Sequence, residues 1–420
     1  MGILSSNYIC TVDLSSSKIA ALVAIKGKKG ITDIFFESAA SRGIKRGTII
    51  DSIELISCIE GVLGRLKSKS GVNIKYIYAN VSGQDASMRH TQAIMPLAER
   101  GNKVITLSDV EKVNDQARIL GSSLEEEIID QMPFSYSVDT AKNIINPVGL
   151  YSHRLEVDLY LVLAKLSFVQ TLTRSINQAG FEIKDLFFSS LATSRAVFND
   201  DTKKGLNVFC DIGSDITEIL IFNNGMLKNI EILSMGGDDL TRQIADDLKM
   251  SLDLAEEVKK SYASIGELAE PLRDKEILIK KDNIYKPLRQ GELSDAVTKR
   301  AKLMSESIRE RIEKSASPRD IDSFLVCGRT VLLEGLLEMM ESSIGVPLKL
   351  AHVASPEIAA LIKRDEALAG SKYLTYLASL GMLIKAMDED IPKFISAFKP
   401  SLNPVLRVIN KFKEVYQEYF

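Results

Sequence analysis

Two stretches of this chain follow nearly the same pattern 198 residues apart. TVDLSSSKIAALVAIKG (Thr11 to Gly27) aligns with FCDIGSDITEILIFNNG (Phe209 to Gly225). Asp13 then falls on Asp211, Ser16 on Ser214, Leu22 on Leu220, Val23 on Ile221 and Gly27 on Gly225. The period is far longer than that of a stacked repeat, so it points to a duplicated domain. In each copy an apolar run reaches a carboxylate, a turn of small residues follows, and a second apolar run ends at glycine. That is the pattern of a β-hairpin. Turns with little side chain let main-chain N–H groups point into a cavity and bind an anion such as phosphate. Two such turns facing one cleft would clamp a polyphosphate from both sides. Asp13 and Asp211 would then orient water on Mg²⁺, an ion that keeps several of its waters. The plainer alternative is two ordinary hairpins with polar turns; the alignment of two copies favours the nucleotide clamp.

Further turns fit the same cleft. In SMGGDDLTRQIADDL, Gly236-Gly237-Asp238 precede an amphipathic helix led by Leu240 and Ile244. Main-chain amides at a helix N-terminus suit phosphate. In SFLVCGRTVLLEGL an apolar strand runs into Cys327-Gly328-Arg329-Thr330 and then a helix, a seat for a nucleoside. Elsewhere, Ser108 with Glu111 reads as a capping box opening a helix. Ser355-Pro356-Glu357 reads as a cap, a proline at the first helical position and an acid in the first turn. Leu374 to Met387 reads as a closing core helix in which Gly381 allows close packing. The helix Leu293 to Ile312 carries Lys299, Arg300 and Lys302, on its own a solvated basic face.

Composition bounds the function. With 420 residues, 45% of them hydrophobic, the chain can build two or more subdomains. A net charge of -3 excludes a global basic surface for nucleic acid. Nothing has the form of a signal peptide, and no apolar run is long enough to span a membrane. Met1-Gly2 with Ser6 fits the loose myristoylation pattern, which we take as chance. Cys10, Cys58, Cys210 and Cys327 are scattered and read as buried free thiols. His90, His153 and His352 lie far apart, without metal-ligand spacing.

The last stretch, NPVLRVINKFKEVYQEYF, has Asn403 as N-cap and Pro404 at the first helical position. Val405, Val408, Ile409, Phe412, Val415, Tyr416 and Tyr419 fall on one helical stripe, which Leu406 and Phe420 widen. The helix is too short and polar to cross a bilayer but can lie in its interface. The same pattern would allow it to dock on its own protein or on a partner. Its place at the C-terminus behind Pro392 and Pro400 favours the membrane. Three cations are offset by two acids and the terminal carboxylate, so apolar burial rather than charge would carry binding.

Together, Asp13-Leu14-Ser15-Ser16, Asp211-Ile212-Gly213-Ser214, the Gly-Gly-Asp turn and the late strand–glycine–helix turn resemble the phosphate-1, phosphate-2 and adenosine loops of the actin, heat-shock-protein and sugar-kinase ATPase superfamily. SRGIKRGTIID (Ser41 to Asp51), MPFSYSVDTAKNIINPVGLYSHRLEVDLYLV (Met132 to Val162) and SLDLAEEVKK (Ser251 to Lys260) narrow the resemblance to the bacterial division family FtsA. Asn146-Pro147-Val148-Gly149 and Arg154-Leu155-Glu156-Val157 are the most specific pieces, because other actin-like ATPases lack that insert.

The resemblance implies an α/β, two-domain actin-like fold, ribonuclease H-like and duplicated. Subdomain 1A would occupy 1–84 and 164–205, with its closing helix at 373–390. The inserted 1C would span 85–163; 2A 206–238 and 301–372; 2B 239–300; a linker 391–403; and the amphipathic helix 404–420. It implies ATP with Mg²⁺ held in the cleft by Asp13, Ser15, Ser16, Ser17, Lys18, Asp211, Gly213, Ser214, Gly236, Gly237, Asp238 and Gly328. Lys18 would meet phosphate as a point charge, and Lys259 would border the base through its match to the family's A-E-x-x-K helix. No side chain would ligate metal directly, no catalytic residue is assigned, and hydrolysis would be weak or absent.

The implied function is to tether filaments of the tubulin homologue FtsZ to the cytoplasmic face of the cell membrane at the division site. Arg300 falls on the family's arginine for the FtsZ C-terminal peptide. The resemblance also implies self-assembly into protofilaments, contact with membrane lipids through the C-terminal stripe, and contact with other division proteins through the insert. Departures bear on the nucleotide. Ser15 replaces a glycine of phosphate-1; Asp215, Ile216 and Glu218 replace a glycine, a threonine and an aspartate of phosphate-2; Arg329 enters the adenosine loop. Like charges at ~4 Å cost several kcal/mol at intermediate dielectric. Asp215 therefore turns away, meets the metal, or lowers nucleotide affinity. Two other functions fit the superfamily: a pilus-type adaptor recruiting a different membrane partner, and a small-molecule kinase, for which no sugar site is visible.

Overall fold

A computed structural model describes residues 7–28, 30–98, 101–144, 146–199, 204–281 and 284–390. The stripe expected from Val405 to Phe420 lies outside them. The described chain divides into unit 1, up to Ala196 and from Tyr376 on, and unit 2, Val197–Thr375.

Unit 1 begins with β1 (Tyr8–Leu14), β2 (Lys18–Gly27), β3 (Gly30–Ala40), the short β4 (Ile44–Lys45) and β5 (Thr48–Ile49), α1 (Ser52–Ser70) and β6 (Tyr76–Val81). It continues with β7 (Ala86–Pro96), β8 (Lys103–Val104), α2 (Leu107–Gly121), β9 (Glu126–Val138), β10 (Ala141–Ile144), β11 (Tyr151–Ser152) and β12 (Arg154–Lys165). It then runs through α3 (Leu166–Gln178), β13 (Glu182–Phe188) and α4 (Ser189–Val197). Unit 2 holds β14 (Leu206–Ile212), β15 (Thr217–Asn223), β16 (Met226–Leu233), α5 (Gly237–Leu248), α6 (Leu252–Tyr262), β17 (Glu276–Lys281), β18 (Ile284–Arg289) and α7 (Gln290–Glu313). After these come β19 (Ile321–Cys327), α8 (Leu336–Ile344), β20 (Leu348–Leu350) and α9 (Pro356–Lys363). The chain then returns to unit 1 as α10 (Leu377–Asp390).

Each unit is built on one five-stranded mixed sheet. Unit 1 orders its strands β13-β6-β1-β2-β3, and unit 2 orders the corresponding ones β20-β19-β14-β15-β16. In both, the first two strands pair antiparallel and the first pairs parallel with a later strand, β6 after α1 in unit 1 and β19 after α7 in unit 2. The duplication is exact at the level of register. Asp13 pairs with Ala20 and Leu14 with Ile19; Asp211 pairs with Glu218 and Ile212 with Thr217, each residue displaced by the same 198 positions. The reason is burial. Ile9 to Leu14 and Ile19 to Ala24 are covered on both faces, as are Val208 to Cys210 and Ile219 to Ile221, so near-continuous apolar runs are required instead of alternation.

Local signals set the helices. Asp51 accepts from the amides of Ile53 and Glu54 to open α1, whose Leu55, Ile59, Val62, Leu63 and Leu66 face the core. Gly71 closes it at φ 69°. Ser355 caps α9 with Pro356 at its first position, as expected. The cap of α2 is corrected: it is Thr106 with Asp109, two residues before the expected Ser108 and Glu111. Asp109 decides this. It accepts from the Thr106 amide and hydroxyl and pairs with Lys103 at 2.8 Å, and these donors outweigh its burial to hold its carboxyl at about 2.

Residues 86–165 carry a separate antiparallel sheet, β10-β9-β12-β7, with α2 packed on it. Val110, Val113 and Ala117 of α2 meet Leu155, Val157, Leu159 and Leu161 of β12. All four cysteines are buried and free, and burial pushes the thiols of Cys10 and Cys210 up.

Helix α10 closes unit 1. The Ser379 hydroxyl donates to Ala20 O, and the Thr11 hydroxyl donates to Ser379 O, both at 2.9 Å. The ammonium of Lys385, buried, pairs with Asp130 of β9 and lies 4.5 Å over the Phe187 ring. A Cβ at Gly381 would stand 2.3 Å from Ala192 O and 2.7 Å from Thr193 Cα, so α10 and α4 approach main chain to main chain. Gly381→Leu is expected to destabilise unit 1 by about 1–3 kcal/mol or more through overpacking. Thermal unfolding of the variant against the wild-type chain reads this directly.

Candidate functional site

In unit 1 the predicted turn is Ser15-Ser16-Ser17, between β1 and β2. It is closed by the Ser15 amide and hydroxyl, which both donate to Lys18 O at 3.1 and 2.9 Å. Asp13 is 3% exposed, and both its oxygens are engaged. Lys18 Nζ lies 2.9 Å from Oδ2, and Asn80 Nδ2 donates to Oδ1 at 2.9 Å. Asn80 Oδ1 in turn accepts from the Leu14 amide at 2.6 Å and so pins the end of β1. The Ser16 hydroxyl accepts from the Gly47 amide at 3.4 Å, bringing the β4–β5 turn to the same place. Lys18, expected on phosphate, is the counter-ion of Asp13.

In unit 2 three turns from distant parts of the chain meet at the end of β14. Gly213 O accepts from the Gly237 amide at 3.0 Å and from the Thr330 hydroxyl at 2.8 Å. Ser214 O accepts from the Asp238 amide at 2.5 Å. A Cβ on Gly236 would stand 2.7 Å from the Gly213 and Ser214 carbonyl oxygens. Gly328, at φ 92°, passes so close to β14 that a Cβ would lie 2.1 Å from Ile212 O and 2.9 Å from Asp211 Oδ1. Only glycine fits that backbone. The expected phosphate-2, glycine–glycine and adenosine turns are therefore one cluster. Its last turn differs from expectation: after Gly328 a short 3-10 turn, Arg329–Leu332, intervenes before α8.

Several amides of this cluster already serve its shape. Gly213 N donates to Ile216 O at 2.9 Å, and Gly236 N to Asp239 Oδ2 at 2.9 Å. Lys259, 6% exposed, does not reach outward to a base. Its ammonium donates to Gly237 O at 2.9 Å and the Thr241 hydroxyl at 2.6 Å, and pairs with Glu256 at 2.5 Å. Burial raises the Glu256 carboxyl, but the Lys259 and Thr241 bonds outweigh it and hold it below the usual range. Asp215 is 4% exposed. Burial first, and the Asp215 charge second, raise the Asp238 carboxyl against the pull of Lys259. Arg300 of α7 lies 3.0 Å from Asp239 Oδ1, in the first turn of α5.

The structure brings Asp13, Ser15, Ser16, Ser17 and Lys18 together in unit 1, and Asp211, Gly213, Ser214, Gly236, Gly237, Asp238, Lys259 and Gly328 together in unit 2. Val405, Leu406, Val408, Ile409, Phe412, Val415, Tyr416, Tyr419 and Phe420 lie outside the described residues. Among the described residues no helix is long and apolar enough to cross a membrane. Asn80 and Asp239 were missed, and Thr330 was read as part of the nucleoside turn without its bond to Gly213 O. Asn80 had a signal, an amide inside the apolar run of β6. Asp239 had none beyond its neighbours.

The SHS2 domain inserted in FTSA matches at residues 83–163, and the cell division protein FtsA model at 208–378. Cell division protein FtsA of Streptococcus pneumoniae serotype 2 (strain D39 / NCTC 7466) is 26% identical over 367 residues, covering 86% of this chain and 79% of its own. The fold is actin-like. A PilM-PilN type IV pilus biogenesis complex superposes with TM-score 0.61 at 16% identity, over 90% of this chain and 98% of that one. MreB5 of Spiroplasma citri bound to ADP does so with TM-score 0.53 at 10% identity, over 92% and 98%.

The raised Asp238 carboxyl has a consequence for stability. A carboxyl raised on folding stabilises fully below its unfolded value, about 3.9, and loses that contribution as pH rises through the folded value. Asp238→Asn is therefore expected to melt above wild type at pH 7. The gap should close as pH falls to about 4, read by thermal denaturation across that range.

Proposed function

We propose that this chain, which belongs to the FtsA family of cell-division proteins, binds ATP and tethers FtsZ filaments to the cell membrane. The observation that carries the reading is the joint occurrence, in one chain, of two registered hairpins with small-residue turns and of the insert that the family model matches at 83–163. Phosphate binding falls to the small-residue turns after β1 and after β14. Lys18 leaves Asp13 for the phosphates, and Asp13 and Asp211 orient waters of Mg²⁺. The actin-like neighbour of Spiroplasma citri carries ADP, which supports a nucleotide as the ligand. The acid load of unit 2, with Asp215 and Asp238 buried or half-buried side by side, argues for modest affinity and weak hydrolysis.

Arg300 serves the FtsZ C-terminal peptide. Its guanidinium is partly exposed and has five N–H donors, so it can exchange or share a carboxylate. The stripe from Val405 to Phe420 lies in the membrane interface, each copy binding weakly and filaments binding by many copies at once. The insert and unit 2 supply contacts to further copies and to other division proteins.

The experiment is co-sedimentation of FtsZ with anionic liposomes. The full chain is expected to carry FtsZ down. A chain ending at Asn403, or with Phe412→Glu, should leave both proteins in solution. Arg300→Glu should leave the chain on the liposomes and lower its affinity for the FtsZ tail peptide at least about tenfold. FtsZ sedimenting alike with all four chains, or with none, contradicts the reading.

A further inference from the structure

The carboxylate of Asp239 does two jobs on two oxygens. Oδ2 accepts from the Gly236 amide at 2.9 Å, and Oδ1 takes Arg300 Nη2 at 3.0 Å. Asp239 is little exposed, whereas more than a quarter of the Arg300 side chain is reachable from solvent. Gly236 is the residue at which an added Cβ would stand 2.7 Å from the Gly213 and Ser214 carbonyl oxygens. The neighbouring Gly237 carbonyl is fixed from the other side by Lys259. Helix α7 itself is held by Leu293, Val297, Ala301, Met304, Ile308 and Ile312, all buried, so Arg300 can change partner only by moving its side chain.

We propose that Asp239 is a positioning residue that transmits what occupies Arg300 to the Gly236–Gly237 turn, so that an acidic peptide on α7 and a phosphate-bearing ligand at the turn bind antagonistically. While Arg300 rests on Asp239, the carboxylate is neutralised and held over the Gly236 amide. A peptide carboxylate that draws Arg300 away leaves a negative charge in the first turn of α5, where an anion would sit, and frees the cap of Gly236. Arg242, at 3.8 Å from the same oxygen, is a weaker substitute and limits the effect. By linkage the anion weakens the peptide by the same factor. The identity of the two ligands rests on the function proposed above; the connection between Arg300 and the turn does not.

Two measurements test this on the full chain, with Arg300→Gln and with Asp239→Asn, which keeps an acceptor for the Gly236 amide but loses the charge. First, amide hydrogen exchange at Gly236 is expected to quicken at least about fivefold in Arg300→Gln. Unchanged exchange overturns the proposal. Second, saturating FtsZ tail peptide is expected to weaken ATP, measured by calorimetry, about fivefold or more in wild type and not in Asp239→Asn. An equal effect in both, or none in wild type with both ligands bound, overturns it. If the peptide or ATP fails to bind wild type while Arg300→Gln still loosens Gly236, the ligand assignment fails and the connection through Asp239 stands.

Discussion

The carbonyl oxygen of Gly213 accepts from both the Gly237 amide and the Thr330 hydroxyl, and so joins turns that lie as much as 117 residues apart in the chain. The Asp238 amide adds a second tie from the glycine–glycine turn to Ser214 O, and Gly328 presses on Ile212 from the third turn. The close approach excludes any Cβ at Gly328 and crowds one at Gly236, so the small-residue composition of these turns follows from packing before any ligand is considered. The polar groups are then satisfied in layers. Lys259 and Thr241 hold Gly237, Asp239 holds Gly236, and Arg300 holds Asp239. A buried network of this kind is stable only when complete, because each missing partner leaves a desolvated group behind.

Unit 1 reaches a comparable end by different means. There Asp13 is neutralised by Lys18 and oriented by Asn80, and β1 is backed by α10 through Ser379 and Thr11. The buried ammonium of Lys385 on α10 has its pKa lowered by burial and opposed by Asp130, so the helix is fixed to β9 as well as to the sheet. Charge balance separates the two turns. Unit 1 balances the carboxylate at its turn with Lys18, whereas unit 2 surrounds its turn with Asp211, Asp215 and Asp238 and commits Lys259 to Gly237 O and Glu256.

The duplicated hairpins were legible to the residue, because strands buried on both faces must be written as continuous apolar runs and the 198-residue shift preserves every pairing. The cap of α2 was not, since Thr106 to Asp109 and Ser108 to Glu111 both fit the capping pattern and only Lys103 breaks the tie. Gly381 was legible as a contact, for a glycine in an apolar helix has few other uses. The destinations of Lys18 and Lys259 were not legible. A lysine beside a turn reads the same whether its ammonium waits for a ligand or is spent on a neighbouring carboxylate, and that is decided by residues such as Glu256, whose relation to Gly237 exists only in the fold. The link from Arg300 to Gly236 was hidden for the same reason: it crosses 61 residues between Arg300 and Asp239.

A crystal structure of the full chain with ATP and Mg²⁺ tests the central claim most directly. The reading predicts phosphate oxygens at the Ser15 to Ser17 turn and at the Gly213 to Ser214 turn, with the Lys18 ammonium moved from Asp13 onto phosphate. Nucleotide bound elsewhere, or both turns empty at millimolar ATP with Lys18 still on Asp13, would contradict it.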